Sequence, residues 1–214
     1  VENGCVVDGK MERLEQLYQM GVRLITLTWN DDNCFGHPHA KDAGRMQLGL
    51  TPFGKEAVTY MTERGILVDV SHLSDGGFYD VAELVKGPFV ASHSNCRELA
   101  PATRNLTDDM IRILAEHGGV CGLNFYPPFL NTDPVDKVSR IERMCEHVKH
   151  LVNVGGIECV GIGTDFDGIE GNLEIADCME MEKLFDALQK KGFCEDDIER
   201  IAYKNVERVI REVM

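Results

Sequence analysis

Basic residues are scarce in this chain: 22 lysines and arginines stand against 36 aspartates and glutamates in 214 residues, a formal charge of -14. Nucleic acids and anionic membrane surfaces recruit basic patches, so neither is expected as a partner. No apolar stretch approaches the roughly 18 residues that cross a bilayer, and no charged-then-apolar leader is visible, so neither a membrane span nor export is expected. The eight cysteines (Cys5, Cys34, Cys96, Cys121, Cys145, Cys159, Cys178, Cys194) form no CxxC pair. That spacing argues against a disulfide framework or a thiolate zinc site, and we expect buried thiols in a reducing, cytoplasmic compartment. Repeats, low-complexity segments and a Gly-rich phosphate loop after a strand are also missing, the last of which disfavours an open dinucleotide-binding sheet. The chain opens at Val1 without an initiator methionine, and Val1-Glu2-Asn3-Gly4 reads as the end of a cut strand, so an upstream portion is expected.

What is present is an alternation of short apolar, β-branched runs with helical patterns. Strands are expected at residues 22–28 (VRLITLT), 66–72 (ILVDVSH), 89–93 (FVASH), 119–126 (GVCGLNFY) and 159–166 (CVGIGTDF). Helices are expected over residues 10–20, 51–65 with Thr51 as N-cap and Pro52 at the first position, 74–86 and 107–117. Others follow over part of 133–154, then 178–191 and 195–213. Residues 31–50 and 95–106 read as loops at the strand ends. Helices between buried strands imply βαβ units and a parallel sheet. With residues 1–4 counted as a strand remnant, six strands are present, which suits a single α/β domain over 1–214. Its architecture would be a (β/α)8 barrel, incomplete at its amino-terminal side.

The chemistry-bearing residues gather at strand ends. His72 and His93 close adjacent runs, where α/β barrels build active sites. Neighbouring strands lie about 5 Å apart, so both imidazoles can converge on one metal ion; each alone reads equally well as a hydrogen-bonded histidine near a strand end. Asp165 and Asp167, in Gly-Thr-Asp-Phe-Asp-Gly (163–168), end a third run. Alternation allows one of them to face the site, and a carboxylate capping the following turn is the competing reading. Arg104, with Arg97 upstream, lies in the loop after His93, where a guanidinium can hold a carboxylate at two points; a surface arginine answering the acidic excess is the alternative.

Seven motifs in order along the chain resemble the membrane dipeptidase (renal dipeptidase) family of zinc peptidases. They are Glu2-Asn3-Gly4, residues 22–30 (VRLITLTWN), Asp69-Val70-Ser71-His72, Ala91-Ser92-His93, Thr103-Arg104-Asn105, Asn124-Phe125-Tyr126 and residues 163–168 (GTDFDG). The closing stretch 205–210 (NVERVI) fits as well. The resemblance implies a (β/α)8 barrel with two zinc ions that hydrolyses dipeptides by a metal-held hydroxide. It also makes Glu2 a metal-bridging carboxylate, His72 and His93 ligands of one metal, Asp165 the acid/base aspartate and Arg104 the receptor of the substrate's terminal carboxylate. Tyr126 would line the substrate pocket. Glu2, unreadable from its local sequence, enters only through this likeness. A homodimer is expected on the same ground.

Two departures accompany the resemblance. Family members carry a His-x-Asp pair at the end of their first strand, and this chain has none, so one metal site is expected to be incomplete. A histidine is common in the family after the strand equivalent to residues 22–28; here that stretch reads Thr28-Trp29-Asn30, so its role is vacant or passes to another group. His37 and His39, in a nearby loop, are expected to be solvated. Beside the dipeptidase reading stand a non-catalytic remnant of the fold and a related metal-dependent amide or lactam hydrolase.

Overall fold

A computed structural model describes residues 1–214, which cluster into two compact units, each described here by itself. The first comprises residues 1–91, 117–119 and 209–214. In it run α1 (Met11–Gln19), β1 (Leu24–Thr26), the short α2 (Ala43–Met46), α3 (Pro52–Arg64), β2 (Leu67–Asp69), α4 (Asp75–Leu84) and the first residues of β3 (Val90–Ser94). The strands are parallel, with Leu24, Ile25 and Thr26 opposite Leu67, Val68 and Asp69, and Asp69 opposite Val90. The expected caps are in place: the Thr51 hydroxyl accepts the Gly54 N–H at 2.9 Å with Pro52 leading the helix, and Gly65 ends it in the left-handed region at φ 71°. Ser74 likewise caps α4 through the Gly77 N–H. Ile25, Leu27, Val58, Met61, Val68, Phe78, Val81 and Phe89 fill the core.

The assigned strands are shorter than the apolar runs that announced them. Hydrophobicity reports burial, whereas the ladder stops where the chain turns. After β2 that happens at once, because the Ser71 N–H donates to the Asp69 side chain and Leu73 N–H to the Val70 carbonyl. Residues 1–4 are not an assigned strand. The remnant survives as two backbone bonds, from Val1 N to the Leu24 carbonyl and from Thr26 N to the Val1 carbonyl, before Gly4–Val7 closes into a 3-10 turn.

The second unit comprises residues 92–116 and 120–208. It holds the rest of β3, α5 (Asp108–Glu116), β4 (Val120–Leu123), the short α6 (Pro127–Leu130), β5 (Val138–Ser139), α7 (Ile141–Gly155), β6 (Val160–Ile162), β7 (Asn172–Leu173), α8 (Glu182–Lys190), α9 (Glu195–Glu199) and the first four residues of α10 (Asn205–Val213). β4 and β6 pair in parallel, Cys121 opposite Val160 through Leu123 opposite Ile162. A two-residue parallel pair, β5 with β7, lies in stretches expected to be irregular. The helix expected over 195–213 carries a π-turn at Arg200–Lys204. After it, the Asn205 amide donates to the Ile157 and Val160 carbonyls, tying the helix to the start of β6. No helix is long and apolar enough to cross a membrane.

All eight cysteines are free, but the expectation that they are buried holds for Cys96, Cys121, Cys145 and Cys159 alone. Cys34 is half-buried, and Cys5, Cys178 and Cys194 are exposed because they lie on turns and helix termini rather than in strands.

Two glycines set how closely the second unit's strands approach. A Cβ added to Gly122 or to Gly163 would run into the Ser92 carbonyl oxygen on β3, which is backbone and has no rotamer to yield. Overpacking of this kind costs about 1–3 kcal/mol, and more against backbone. Gly163→Ala should therefore lower the thermal midpoint by roughly 6–12 °C, taking about 3 kcal/mol and the scaling for a chain of this size; an unchanged midpoint would refute the close approach.

Candidate metal centre and active site

Glu2 is placed by its neighbours. Val1 is held to β1 by the two backbone bonds above, and the Asn3 side chain accepts the Cys5 N–H at 3.1 Å and an Asn33 amide proton at 3.2 Å. The Glu2 carboxylate is half exposed, yet it rises from docked backbone rather than from a frayed end.

His72 lies not in β2 but three residues beyond it, in the turn anchored by Asp69, with φ 69°. The Asp69 carboxylate, fully buried, accepts the Thr26 hydroxyl at 2.6 Å and the Ser71 N–H at 3.0 Å. Two contacts orient the imidazole: Nδ1 faces the Asn30 side-chain oxygen at 3.3 Å, and Nε2 lies 3.3 Å from Glu2 Oε1. An amide oxygen can only accept, so it suits a proton on Nδ1, while Nε2 is the ring nitrogen presented to the carboxylate. That is how a ligating histidine is usually held.

His93 is the fourth residue of β3, and its Nδ1 meets the Ser92 hydroxyl at 2.8 Å. Zinc takes imidazole nitrogen and carboxylate oxygen at about 2.0–2.2 Å; the Glu2–His72 pair of the first unit and His93 of the second each offer such donors. Two neutral imidazoles with one carboxylate is also a donor set that leaves a fourth position open.

In the second unit the predicted residues are arranged around the C-terminal ends of β3, β4 and β6. Asp165 follows β6 in the left-handed region at φ 63°, half-buried, its Oδ2 accepting the Asn124 amide at 3.1 Å; Asp167 is exposed on the turn. Arg104 is 5% exposed, which rules out the surface-arginine reading. Its guanidinium donates to the His93 carbonyl at 3.2 Å and lies 5.4 Å from the centre of the Phe129 ring. Arg97 instead braces the loop, donating to the Asn105 and Thr103 carbonyls. Tyr126 begins α6, its N–H bonded to the Asn124 side-chain oxygen and its ring edge-on to Phe129. It lines a cleft of about 390 Å³ with Pro127, Pro128, Pro134, Lys137, Glu170 and Gly171.

The two loop histidines are not solvated. His37 is half-buried against Asp32 at 3.1 Å; the His39 ring lies 6.2 Å from that of His72, and the His39 backbone N–H donates to the His72 carbonyl. An antiparallel bridge between Pro38 and Leu73 draws that loop in.

Sequence reasoning missed the polar residues that hold these groups: Asn30, Ser92, Asn95, Asn124 and His147. Asn95 bonds the Asn124 carbonyl and N–H, and His147 accepts the Cys96 N–H and faces the Leu130 carbonyl at 3.0 Å. The available signal was a buried-type asparagine directly after a strand, as at residues 95 and 124.

Imidazoles and carboxylates beyond the C-terminal ends of parallel strands lie where α/β barrels build their active sites. The whole chain, residues 1–214, matches the family described as membrane dipeptidase, peptidase family M19, and the chain belongs to it. Among its relatives is a protein encoded in the pqqA 5′ region of Klebsiella pneumoniae, 33% identical over 220 residues, covering all of this chain and 80% of that protein. A Schizosaccharomyces pombe protein named as a dipeptidase is 34% identical over 212 residues, covering 98% of this chain and 51% of its own length. Among solved structures, a metallopeptidase from Rhodobacter sphaeroides, liganded with a phosphinate mimic of the dipeptide L-Ala-D-Ala, superposes with a TM-score of 0.89 at 30% identity. That match covers 96% of this chain and 60% of the other. The chain thus has the fold of a TIM-type barrel and spans about half the length of the yeast relative and 60% of the crystallised one.

Two tests follow from this geometry. Asn30→Leu removes the acceptor on His72 Nδ1 and should weaken zinc binding 10–100-fold in a competition titration; undiminished affinity would show that Asn30 does not orient the ligand. Burial pushes His147 down to about 4 from 6.5, so the folded state holds it neutral. Its contribution is complete above pH 6.5 and is lost as pH falls toward 4, because the unfolded chain takes the proton first. The loss is on the order of 3 kcal/mol. Thermal midpoints should fall across that window, and His147→Gln should flatten the slope.

Proposed function

We propose that this chain is a metal-dependent dipeptidase of the peptidase M19 type, with zinc as its metal. The observation that carries the reading is the approach of His72 Nε2 to Glu2 Oε1 at 3.3 Å, with the Asn30 side-chain oxygen at the other ring nitrogen. Glu2, His72 and His93 would hold the ion. When bound there, zinc lowers the pKa of water toward neutrality and polarises a carbonyl as a Lewis acid.

The chain's own residues do the rest. Asp165 takes the proton of the attacking water on a carboxylate oxygen and delivers it to the leaving amine nitrogen, while the Asn124 amide on Oδ2 fixes which way the carboxylate faces. Arg104 pairs with the substrate's terminal carboxylate, an arrangement that orients a dipeptide and disfavours longer chains. Its burial supports this role, because a guanidinium out of bulk water binds a carboxylate more strongly than one on the surface. Tyr126 contributes a wall of the cleft that receives a side chain. Three protein ligands suffice for one catalytic ion, so the absence of a His-x-Asp pair does not preclude hydrolysis. The free cysteines support cytoplasmic residence.

The test is release of free amino acids from dipeptides by the purified 214-residue chain. Activity should vanish on chelation, return with zinc, and be abolished by His93→Ala. Arg104→Met should lower kcat/KM for dipeptides at least 100-fold while sparing dipeptide amides, which lack the carboxylate. No cleavage by a folded, zinc-loaded sample would favour the non-catalytic remnant; loss on amides as large as on acids would make Arg104 a support for His93 instead.

A further inference from the structure

Trp29 is the single tryptophan of the chain, and it stands where the resemblance leads one to expect a histidine. Its indole is 44% exposed, with its ring centre 6.3 Å from that of His72 and tilted 42° to it. The next residue, Asn30, is the one bonded to His72 Nδ1, and Thr28 before it is fully buried. The indole thus stands between a buried residue and one bonded to His72, next to a metal-ligand candidate and partly open to solvent. Large aromatics carry 150–250 Å² of apolar surface and favour burial, so a half-exposed one in this position is a surface prepared for an apolar group.

Reach decides which group. A residue spans about 3.3–3.6 Å of extended chain, so a dipeptide whose scissile carbonyl sits at the Glu2–His72 centre extends only about 7 Å in all. A slab 6.3 Å from His72 therefore lies within touching distance of one of its two side chains. The groups around His72, Glu2 and His39 among them, are polar, and the indole adds an apolar face beside them.

We propose that Trp29 is a specificity-determining residue: its ring packs against a bulky apolar or aromatic side chain on one residue of the dipeptide and gives the enzyme a preference for such substrates over glycine-containing ones. This rests on the dipeptidase reading above. An imidazole at this place would offer a hydrogen bond to a backbone carbonyl shared by every dipeptide; an indole gains by area and so by side-chain size.

The experiment compares Gly-Gly with dipeptides bearing Leu or Phe at either position, using the wild-type chain, Trp29→Ala and Trp29→Phe. Trp29→Ala should lower kcat/KM about tenfold or more for the bulky side chain at one position and less than threefold for Gly-Gly, with Trp29→Phe retaining most of the preference. An equal loss across the series, or none, overturns the proposal. Because the chain has one tryptophan, its fluorescence provides a second readout. A non-hydrolysable reduced-amide analogue carrying Leu should shift the emission to the blue and the Gly-Gly analogue should not; identical responses count against the proposal. Cobalt added to the metal-free chain should quench Trp29, and His72→Ala should remove the quench. Absence of quenching and of all hydrolysis would sink the dipeptidase reading itself, whereas hydrolysis with unaltered preference in Trp29→Ala sinks this inference alone.

Discussion

The buried carboxylate of Asp69 is the constraint on which the site's geometry depends. A carboxylate at zero exposure is costly unless its lone pairs are taken up, and here they are met by the Thr26 hydroxyl and the Ser71 N–H. The first bond ties the end of β1 to the end of β2; the second bends the chain immediately after β2. Together they set the turn that swings His72 away from the strand direction and toward Glu2 and Asn30. A histidine left on the strand would project along the pleat. On this turn one ring nitrogen faces the Asn30 side-chain oxygen and the other faces the Glu2 carboxylate.

Strain is concentrated in the same places. Four non-glycine residues have positive φ: Asn3, Asp8, His72 and Asp165. One is beside Glu2 and two are themselves candidate site residues. Such conformations cost about 1–3 kcal/mol each and persist where surrounding structure enforces them. The enforcers are visible: the Asn3 side chain bonded to Cys5 and Asn33, Asp69 behind the His72 turn, and Asn124 on the Asp165 carboxylate. The strain is thus held by hydrogen bonds from neighbouring polar side chains.

How much of this could be read from residues alone depended on which force was speaking. Apolar runs located all five strands of the parallel sheet, and Thr51-Pro52 and Ser74 marked helix starts, because burial and capping are local in sequence. Strand lengths were overestimated, since a run such as residues 66–72 stays buried after its ladder has ended. The histidine pair and Asp165 were legible from their positions at run ends. Glu2 was legible only by family likeness, as a carboxylate near a terminus is ordinarily solvated. What supports these residues was not legible: Asn30, Asn124 and His147 act across 42, 41 and 51 positions of sequence, respectively. A polar side chain's partner at that separation is decided by the fold. The loop histidines were misjudged for the same reason, their placement following from the Pro38–Leu73 bridge.

The acidic excess and the proposed substrate can be reconciled on electrostatic grounds. A chain with a formal charge of -14 repels anions at long range, but a dipeptide at neutral pH is a zwitterion with no net charge, so the overall field neither attracts nor excludes it. At physiological salt that field fades over about 8 Å, and recognition falls to charges within a few ångströms. A buried arginine held against β3, in the proposed role, would serve one end of such a molecule with little competition from solvent. A second charge on the substrate would upset the balance, since an acidic side chain would meet the repulsion that the zwitterion escapes. Under this reading, the composition that argues against nucleic acid as a partner also biases the site toward neutral dipeptides, and an apolar Trp29 beside His72 acts in the same direction.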